Sequence, residues 1–576
     1  MAALEHRLSA SVLVIGTGGS GLRAAIQLAE DGADVLAVGK RPASDAHTAL
    51  ASGGINAALA TMDAEDTWQQ HAADTLKESY LLADPRVVQI AVQGAERGIR
   101  DLERFGMSFD RQSDGRISQR YFGAHKYRRT AFAGDYTGLE MQRALVAHAA
   151  RIEIPILSTA YITRILVEDG AVFGAYGFDL VDGTRYLIHA DAVILAAGGH
   201  TRIWRRTSSR RDENTGDAMR LAVEAGARLR DAELVQFHPS GLIEPENAAG
   251  TLVSEAARGE GGRLLNAFGE RFMTRYDPER LELSTRDRVA LACYTEIQAG
   301  RGTPAGGVWL DLSHLPREVV MTRLPRVYQT LLELQMLDVT QDPIEIAPTA
   351  HYSMGGVWVR PEDHQTDVDG LYAIGEASSG LHGANRLGGN SLIELMVYGR
   401  IVGQAAAAYS AQLPAQRRSA DAVARARAEV DVLLAAEGPE NVRALQRAVR
   451  NVMTEHAGVV RSEAGLLAGL AALGDIEDRM RSVGVHPDIA GFQDLAHAFD
   501  LKSAVLAARA TLECSLERHE TRGCHNRSDY PSLDPDLRVN LVWSPDAAIT
   551  REGIAPIPAE IADLMQEVST VGKLTE

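Results

Sequence analysis

SVLVIGTGGSG, residues 11–21, is a short apolar run that leads directly into four closely spaced glycines. The apolar run predicts a buried strand. Apolar residues then recur at helical spacing over residues 22–29, and a second apolar run at 34–38 predicts another strand. This is the strand-turn-helix-strand context in which a G-x-G-x-x-G match indicates a dinucleotide-binding domain.

Each glycine of this turn has a physical reason. Gly16 allows the tight turn, Gly18 lets the backbone approach a pyrophosphate, and Gly21 lets the helix pack against the strand. The usual acidic ribose ligand at the end of the second strand is missing, since Lys40 stands there. The missing acidic residue disfavours a binding site for freely exchanging NAD. The predicted nucleotide contacts are Gly16, Gly18, Gly19, Ser20, Gly21 and Lys40.

The bulk properties limit the class of protein. A chain of 576 residues is too long for a single core and predicts two to four domains. Its net charge of −18 argues against a general nucleic-acid or anionic-membrane surface. No apolar run is long enough to span a membrane, and the first strand begins too early to leave room for a signal peptide. Three cysteines without C-x-x-C spacing disfavour a disulfide framework, a zinc site and an iron–sulfur cluster within this chain, and favour reducing, cytosolic conditions.

The pattern along the chain predicts a discontinuous architecture. Between about residue 229 and residue 350 turns and polar motifs replace the strand-helix alternation, which returns at GLYAIGE, residues 370–376. Residues 401–522 have helical periodicity, and the chain from 530 onward is expected to lie on the surface. We therefore predict an α/β fold, in which a Rossmann-type cofactor domain is interrupted by an α+β capping domain and followed by a helical bundle. The predicted boundaries are 1–228 plus 345–410, 229–344, 411–528 and a tail at 529–576.

Five short stretches concentrate polar groups beside glycine or proline. The first is DAHTALASGGI at 45–55, where His47 precedes a Gly-Gly segment and follows the nucleotide fingerprint. The others are QFHPSG at 236–241, SEAARGEGG at 254–262, HYSMGG at 351–356 and HGANRLGGNSL at 382–392. Arginine and histidine donors held at bends suit a dianion such as a dicarboxylate. Any one of the last four stretches could be an ordinary turn with a surface charge, but four together favour a binding site.

With these motifs the chain resembles the flavoprotein subunit of the succinate dehydrogenase and fumarate reductase family, over about residues 11–531. The resemblance implies FAD, attached covalently through the histidine that matches His47, with Ala46 where the family has serine. It also implies further contacts with the cofactor. Cofactor contacts beyond the fingerprint would be His47, Thr48, Gly53, Gly54, Asp217, Glu376, Ser391 and Leu392.

The resemblance also assigns the substrate and the proton. His238 and Ser254 would hold one carboxylate of a C4 dicarboxylate, and His351 with Arg386 the other. Arg286 matches the proton donor or acceptor, with Glu255 and Arg258 as its relay, and Phe122 would border the substrate. The implied reaction is hydride transfer between succinate and flavin, giving fumarate, or its reverse.

The same resemblance implies partners and a place in the cell. Electrons would pass to an iron–sulfur subunit, then to quinone, with membrane anchor subunits holding the complex at the cytoplasmic face of a bacterial inner membrane. This is the electron-transport role of a tricarboxylic acid cycle enzyme. The physiological direction, the quinone and the number of partners stay open.

Two rival interpretations remain. L-Aspartate oxidase is a soluble relative with non-covalent FAD, which lacks the histidine matching His47 and has a glutamate where this chain has Phe122. A non-catalytic FAD-binding protein is the other. Retention of the whole set of polar residues argues against it, because a decayed enzyme should have lost at least one of them.

Overall fold

The computed structural model describes residues 4–487 and 491–566. Its largest sheet has seven strands and contains the fingerprint strand Glu5–Ile15 near its middle. Six strands lie side by side in the order Ile156–Leu157, Val35–Val38, Glu5–Ile15, Arg185–Leu195, Ala171–Asp179 and Ala160–Glu168. The seventh, Leu371–Ala373, pairs in parallel with the end of Arg185–Leu195. Because that strand comes from far along the sequence, the cofactor domain is discontinuous, as predicted.

The strand Glu5–Ile15 is buried on both faces over its second half. Val12 and Val14 pack into one apolar cluster, and Leu13 and Ile15 into another. This alternation explains the continuous apolar run, because a parallel strand covered on both sides has no solvent face. The strand starts earlier than predicted, since its first residues also pair with Arg185–Leu195.

The glycine turn and its helix, Gly19–Glu30, are packed too closely for side chains at two positions. Gly16 has φ of +115°, and a Cβ there would lie 2.1 Å from the carbonyl oxygen of Ala196. A Cβ on Gly21 would lie 1.9 Å from the carbonyl oxygen of Gly16. The helix therefore begins directly against the strand end, and its first N–H groups have no partners within the helix.

Further helices cover the sheet, and one prediction about them is corrected. The pattern of residues 85–105 predicts one helix, but the structure divides it at Gly94, where a Cβ would lie 2.7 Å from Val397. Asp84 caps the first half by accepting hydrogen bonds from the N–H groups of Arg86 and Val87. The helices are Trp68–Glu78, Pro85–Gln93, Ala95–Phe105, Thr137–Arg151, Asp217–Ala225 and Asn390–Gln412. A small sheet of Ile55–Asn56, Thr130–Ala131 and Gln119–Arg120 lies among them.

The inserted region has its own antiparallel sheet and its own apolar core. The strands lie in the order Val235–Leu242, Ile344–Ser353, Val308–Asp311 and Arg263–Leu265. Short helices pack on them: Ala256–Gly259, Met273–Tyr276, Arg286–Glu296, Arg317–Arg323 and Pro325–Gln335. The first two strands continue into the cofactor domain, so residues at their near ends reach the cofactor cavity.

The C-terminal half supplies the helical bundle. Its helices are Ala420–Leu434, Val442–His456, Glu463–Met480 and Gln493–Glu517. Their apolar faces belong to the same cluster as one face of the large sheet, so the bundle packs directly on the cofactor domain. Two-residue strand pairs brace it: Glu440–Asn441 with Val483–Gly484, and Val460–Arg461 with Asn526–Arg527.

The chain after residue 530 is not only a surface tail, which corrects the prediction. Val539–Trp543 pairs with Leu229–Arg230 in a four-stranded sheet, where it is flanked by Thr550–Gly553. Leu541 and Trp543 are buried, and the Trp543 Nε1 donates to Glu513 Oε2 at 2.6 Å. Their apolar surface explains the burial. Helix Ala559–Gln566 follows.

In residues 4–487 and 491–566, no helix combines the length and apolarity that a bilayer span requires.

Candidate active site

A cavity of about 520 Å³ lies where the glycine turn, the large sheet and the inserted region meet. Its size is within the range of small-molecule and cofactor pockets. The predicted residues on its wall are Gly16, Gly18, Gly19, Ser20, Lys40, His47, Thr48, Gly53, Gly54, Phe122, Asp217, His238, Ser254, Glu255, Arg286, His351, Glu376, Arg386, Ser391 and Leu392. The structure therefore brings together residues that are hundreds of positions apart.

Two predicted site residues do not line the cavity. Gly21 lies behind the wall, where its missing side chain lets the helix approach Gly16. Arg258 is buried behind Glu255, with Nη2 3.7 Å from Glu255 Oε1 and Nη1 donating to the Glu282 carbonyl at 2.5 Å. Gly21 therefore acts through packing, and Arg258 acts on the cavity from behind Glu255.

The glycine-turn end of the cavity fits the phosphates of a dinucleotide. Helix Gly19–Glu30 starts there without a side-chain cap, and the Gly19 N–H donates to Thr48 Oγ1 at 3.0 Å. Unsatisfied N–H groups at a helix start favour anions. The close packing around Gly16 keeps this surface free of side chains.

Lys40 forms a buried charge cluster beside this end. Its Nζ is paired with Asp217 and lies 3.0 Å from Asp500 Oδ1, on the bundle helix Gln493–Glu517. Burial tends to raise the pKa of Asp217, but the charges of Lys40 and Arg220 outweigh it and lower that pKa to about 2. Two carboxylates neutralise Lys40, so it joins the bundle to the cofactor domain as well as lining the cavity.

His47 has one ring nitrogen occupied. Its Nδ1 is 2.9 Å from Glu213 Oε2, and because a carboxylate only accepts, Nδ1 carries the hydrogen. In the neutral imidazole Nε2 is therefore the nitrogen left with a lone pair. Glu213 is held by Arg210, whose Nε donates to Glu213 Oε1 at 2.9 Å. The hydrogen bond to Glu213 fixes the orientation of the imidazole and decides which ring nitrogen carries the hydrogen.

Burial and the Glu213 carboxylate have opposite effects on the pKa of His47. Burial lowers its pKa, but the hydrogen bond and charge of Glu213 outweigh burial, so the pKa of His47 is raised above its ordinary value. The pKa of Glu213 is lowered far below its ordinary value, although burial opposes this, because His47 and Arg210 stabilise its charge. Protonated His47 and ionised Glu213 therefore stabilise each other while nothing is attached to Nε2.

This ion pair should make the cofactor-free chain less stable as the pH rises. Because the folded-state pKa of His47 lies above 6.5, the pair contributes fully below pH 6.5 and loses that contribution as the pH rises through the folded-state value. We expect the free energy of unfolding to fall as the pH rises through this range. Urea unfolding of cofactor-free chain between about pH 6 and pH 8.5 measures it. Glu213→Gln should remove this part of the slope, and an unchanged slope in that variant would contradict the assignment.

The other end of the cavity is cationic. Arg386 is buried, its Nη1 donates to Ser391 Oγ at 3.0 Å, and its guanidinium lies 4.4 Å from the Tyr352 ring centre. Arg386 Nε has no hydrogen-bond partner within the part of the chain that the structure describes. Burial, followed by the charge of Arg286, lowers the pKa of Arg386 to about 10. A buried cation with an unused donor favours an anionic ligand.

Two histidines complete this end, with ring centres 5.4 Å apart. His238 Nδ1 accepts from the Ser240 N–H at 3.2 Å, so its Nε2 carries the hydrogen and can donate to a ligand. His351 Nε2 is 3.2 Å from Arg386 Nη2, and its Nδ1 is 2.9 Å from Ser208 Oγ. Because arginine only donates, His351 Nε2 accepts, and His351 therefore orients Arg386.

Both histidines are neutral in this environment. Burial, then the charge of Arg286, lowers the pKa of His238 well below its ordinary value. Burial, then the charge of Arg386, does the same for His351. The fixed positive charge of this end therefore comes from arginine, and the histidines supply directional hydrogen bonds.

Arg286 and Glu255 form a close ion pair at the same end. Arg286 Nε donates to Glu255 Oε2 at 2.7 Å, and Nη2 lies 2.6 Å from the same oxygen. Burial tends to raise the pKa of Glu255, but Arg286 and Arg258 outweigh it and hold that pKa far below its ordinary value. An arginine paired with an ionised carboxylate can hold a proton and has a neighbour that can receive one.

Sequence reasoning missed several wall residues. Glu213, Asp135 and Arg326 all line the cavity, and Asp135 Oδ2 accepts from the Arg326 N–H at 3.0 Å. That contact joins the cofactor domain to the first turn of Pro325–Gln335 in the inserted region. None of these residues lies in a glycine-rich motif, so only the fold reveals their proximity. Glu213 is an acidic residue just ahead of helix Asp217–Ala225, but that position in the sequence does not reveal its contact with His47.

Two family models match the chain. One, described as FAD binding domain, matches residues 11–392. The other, described as Fumarate reductase flavoprotein C-term, matches residues 446–557. Together they extend over the cofactor domain, the inserted region and most of the helical bundle.

Individual relatives agree. One subunit of a fumarate reductase (CoM/CoB) from Methanothermobacter marburgensis is 40% identical, covering 92% of this chain and 96% of that protein. A succinate dehydrogenase flavoprotein subunit from Rickettsia bellii is 36% identical, covering 92% and 91%. A quinol–fumarate reductase solved with menaquinol molecules superposes with a TM-score of 0.91, at 31% identity over 96% of this chain and 99% of that one.

Proposed function

This chain belongs to the flavoprotein subunits of the succinate dehydrogenase and fumarate reductase family, and on that premise we propose that it interconverts succinate and fumarate. It is a flavoprotein oxidoreductase of that family, and FAD is the family's cofactor. The observation that carries the proposal is the cationic end of the cavity. There Arg386 Nε has no hydrogen-bond partner among the described residues, and Arg286 is paired with Glu255.

Each end of a C4 dicarboxylate has donors suited to it. His238 Nε2 and the Ser254 hydroxyl face one carboxylate, and Arg386, oriented by His351, faces the other. Holding both ends fixes the two central carbons relative to the rest of the cavity. Phe122 supplies an apolar wall, which suits carbons that carry no amino group.

The bound flavin supplies the hydride acceptor, and the proton is handled by this chain. In succinate oxidation the Arg286 guanidinium would pass a proton to Glu255 Oε2, 2.6 Å from its Nη2, and the neutral guanidine left behind would take the proton from the neighbouring carbon. Arg258, buried behind Glu255, stabilises that carboxylate. Fixed positive charge at the site stabilises the negative charge that develops on carbon as the proton leaves.

We infer that His47 is the covalent attachment point of FAD. The support is geometric: Glu213 occupies Nδ1 and leaves Nε2 as the nucleophilic nitrogen, on the wall of the cavity. Lys40, Thr48, Asp217 and Glu376 would hold the rest of the cofactor.

We propose further that electrons leave through partner subunits. The three cysteines, Cys293, Cys514 and Cys524, are buried and free, and the two relatives named above are subunits of larger enzymes. An iron–sulfur subunit, quinone as the final acceptor, and membrane anchors at the cytoplasmic face of a bacterial inner membrane are the corresponding proposals. Either direction of the reaction is compatible with this site.

The purified complex should reduce an artificial dye with succinate and should oxidise a reduced dye with fumarate. L-Aspartate should support neither reaction, because the wall at Phe122 offers no carboxylate to an ammonium group. Turnover of L-aspartate with non-covalent FAD would favour the oxidase alternative. Flavin binding without turnover of any C4 dicarboxylate would favour the non-catalytic alternative.

A further inference from the structure

A pair of buried side-chain amides lies directly behind the two active-site arginines. Gln236 and Asn385 are essentially inaccessible to solvent, and Gln236 Nε2 donates to Asn385 Oδ1 at 2.8 Å. Neither residue lines the cavity. The pair therefore has no direct contact with a ligand there, and its influence must pass through other side chains.

Two acidic side chains fix which way the Asn385 amide faces. Its Nδ2 donates to Glu78 Oε1 at 2.7 Å and to Asp287 Oδ1 at 2.9 Å. The other Asp287 oxygen accepts from the Tyr80 hydroxyl at 2.6 Å, so Asp287 acts as an acceptor on both oxygens. Because an amide nitrogen must face acceptors, Asn385 Oδ1 is turned toward Gln236.

The orientation of Gln236 follows from that of Asn385. Gln236 Nε2 uses its two hydrogens on Asn385 Oδ1 and on the Arg386 carbonyl, at 3.0 Å. Its single carbonyl oxygen then accepts from Arg286 Nη1 at 3.2 Å and from Arg386 Nη2 at 3.1 Å. One neutral oxygen therefore holds two guanidinium groups that would otherwise repel each other.

We propose that Glu78 and Asn385 are positioning residues, which act through Gln236 to hold Arg286 and Arg386 in their active arrangement. This inference rests on the proposed function of the two arginines. The reaction needs both groups in fixed places, and misplacement by about 1 Å can cost up to a hundredfold in rate. A locked amide pair supplies that rigidity without adding charge next to the substrate.

The placement of Glu78 supports a role beyond folding. It is the last residue of helix Trp68–Glu78, where the helix dipole disfavours a negative charge. Burial and the nearby charge of Asp287 raise the pKa of Glu78 well above its ordinary value. The hydrogen bond from Asn385 gives a reason for a carboxyl group to occupy this unfavourable position.

The test compares Glu78→Ala with Glu78→Gln in the flavin-loaded complex. Alanine removes the acceptor, and we expect kcat with succinate to fall by about tenfold. The dissociation constant of malonate, an unreactive dicarboxylate measured by calorimetry, should rise severalfold. Glutamine keeps a carbonyl acceptor and should restore both values to within about twofold, without changing the shape of the pH–rate profile. Glu96→Ala, at an exposed carboxylate paired with Arg100, is the matched control and should behave as wild type.

Asn385→Asp gives an independent second variant of nearly unchanged size. Aspartate cannot donate to Glu78 and Asp287, so it should lose at least as much activity as Glu78→Ala, and it keeps the test decisive if the alanine variant folds poorly. Wild-type kinetics in Glu78→Ala, or equal losses in Glu78→Ala and Glu78→Gln, would overturn the positioning role. A wild-type complex that binds malonate but turns over no C4 dicarboxylate would instead overturn the proposed function.

Discussion

Arg286→Ala is expected to keep dicarboxylate binding while lowering kcat by about a thousandfold or more, the range seen for loss of a general acid or base. The reason lies in its contacts. Arg286 is bound to Glu255 through two nitrogens, whereas the ligand-facing donors of His238, Ser254 and Arg386 remain in the variant. Turnover with dye reports kcat, and the shift of the flavin absorption band on adding malonate reports binding.

Arg288→Ala is the matched control for this experiment. Arg288 lies on the same helix, Arg286–Glu296, with its side chain about half exposed, and is 3.8 Å from Asp277. It should retain wild-type turnover. If Arg286→Ala instead loses malonate binding and keeps kcat at saturating succinate, Arg286 is a carboxylate clamp, and the proton carrier must be sought elsewhere.

His47→Ser is expected to leave FAD bound but fully releasable by denaturation. Serine offers no ring nitrogen to bond, while the remaining wall of the cavity still holds the cofactor. We also expect succinate oxidation to be lost and fumarate reduction to be partly kept, because an electron-withdrawing imidazole substituent on the flavin favours its reduced form. Fluorescence of the chain on a denaturing gel measures attachment, and dye assays in both directions measure the two activities.

His486→Ser, at an exposed histidine of the bundle, should keep both the fluorescent band and the activities. Full succinate oxidation by His47→Ser would refute the attachment role. A fluorescent band that persists in His47→Ser would place the covalent bond on another residue, and the orienting contact with Glu213 would then need a different explanation.

The sequence predicted the cofactor domain well where local patterns and packing agree. Residues 12–15 of the apolar run are buried on both faces, and a Cβ on Gly16 or Gly21 would lie within 2.2 Å of a carbonyl oxygen. The sequence pattern there is therefore a direct result of the packing. The patterns of residues 184–189 and 192–196 predict two separate strands, but the structure has the single strand Arg185–Leu195, because the neighbouring strand Glu5–Ile15 pairs with it on both sides of Asp191. The burial of Trp543 was missed, since its partner strand lies hundreds of residues earlier.

Some residues of the candidate site could likewise be predicted from local sequence patterns, and others could not. Residues in glycine-rich motifs, such as His238 and Arg386, could be predicted to converge because each motif presents a polar group at a bend. The contacts of Glu213 with His47 and of Asp500 with Lys40 could not be predicted, because they depend on which distant elements pack together. The amide pair of Gln236 and Asn385 was inside two of the predicted motifs, but its hydrogen-bond partner Glu78 was visible only in the fold.

The interrupted order of the large sheet has a consequence for biosynthesis. Strand Glu5–Ile15 leaves the ribosome early, but its neighbour Arg185–Leu195 follows only after roughly ten to thirty seconds at about 5–20 residues per second. The strand Leu371–Ala373 comes later still. Throughout that interval an apolar edge on the nascent chain has no native partner. Co-translational chaperones should therefore engage this protein before its flavin can, and prosthetic-group loading should be a late, post-translational event.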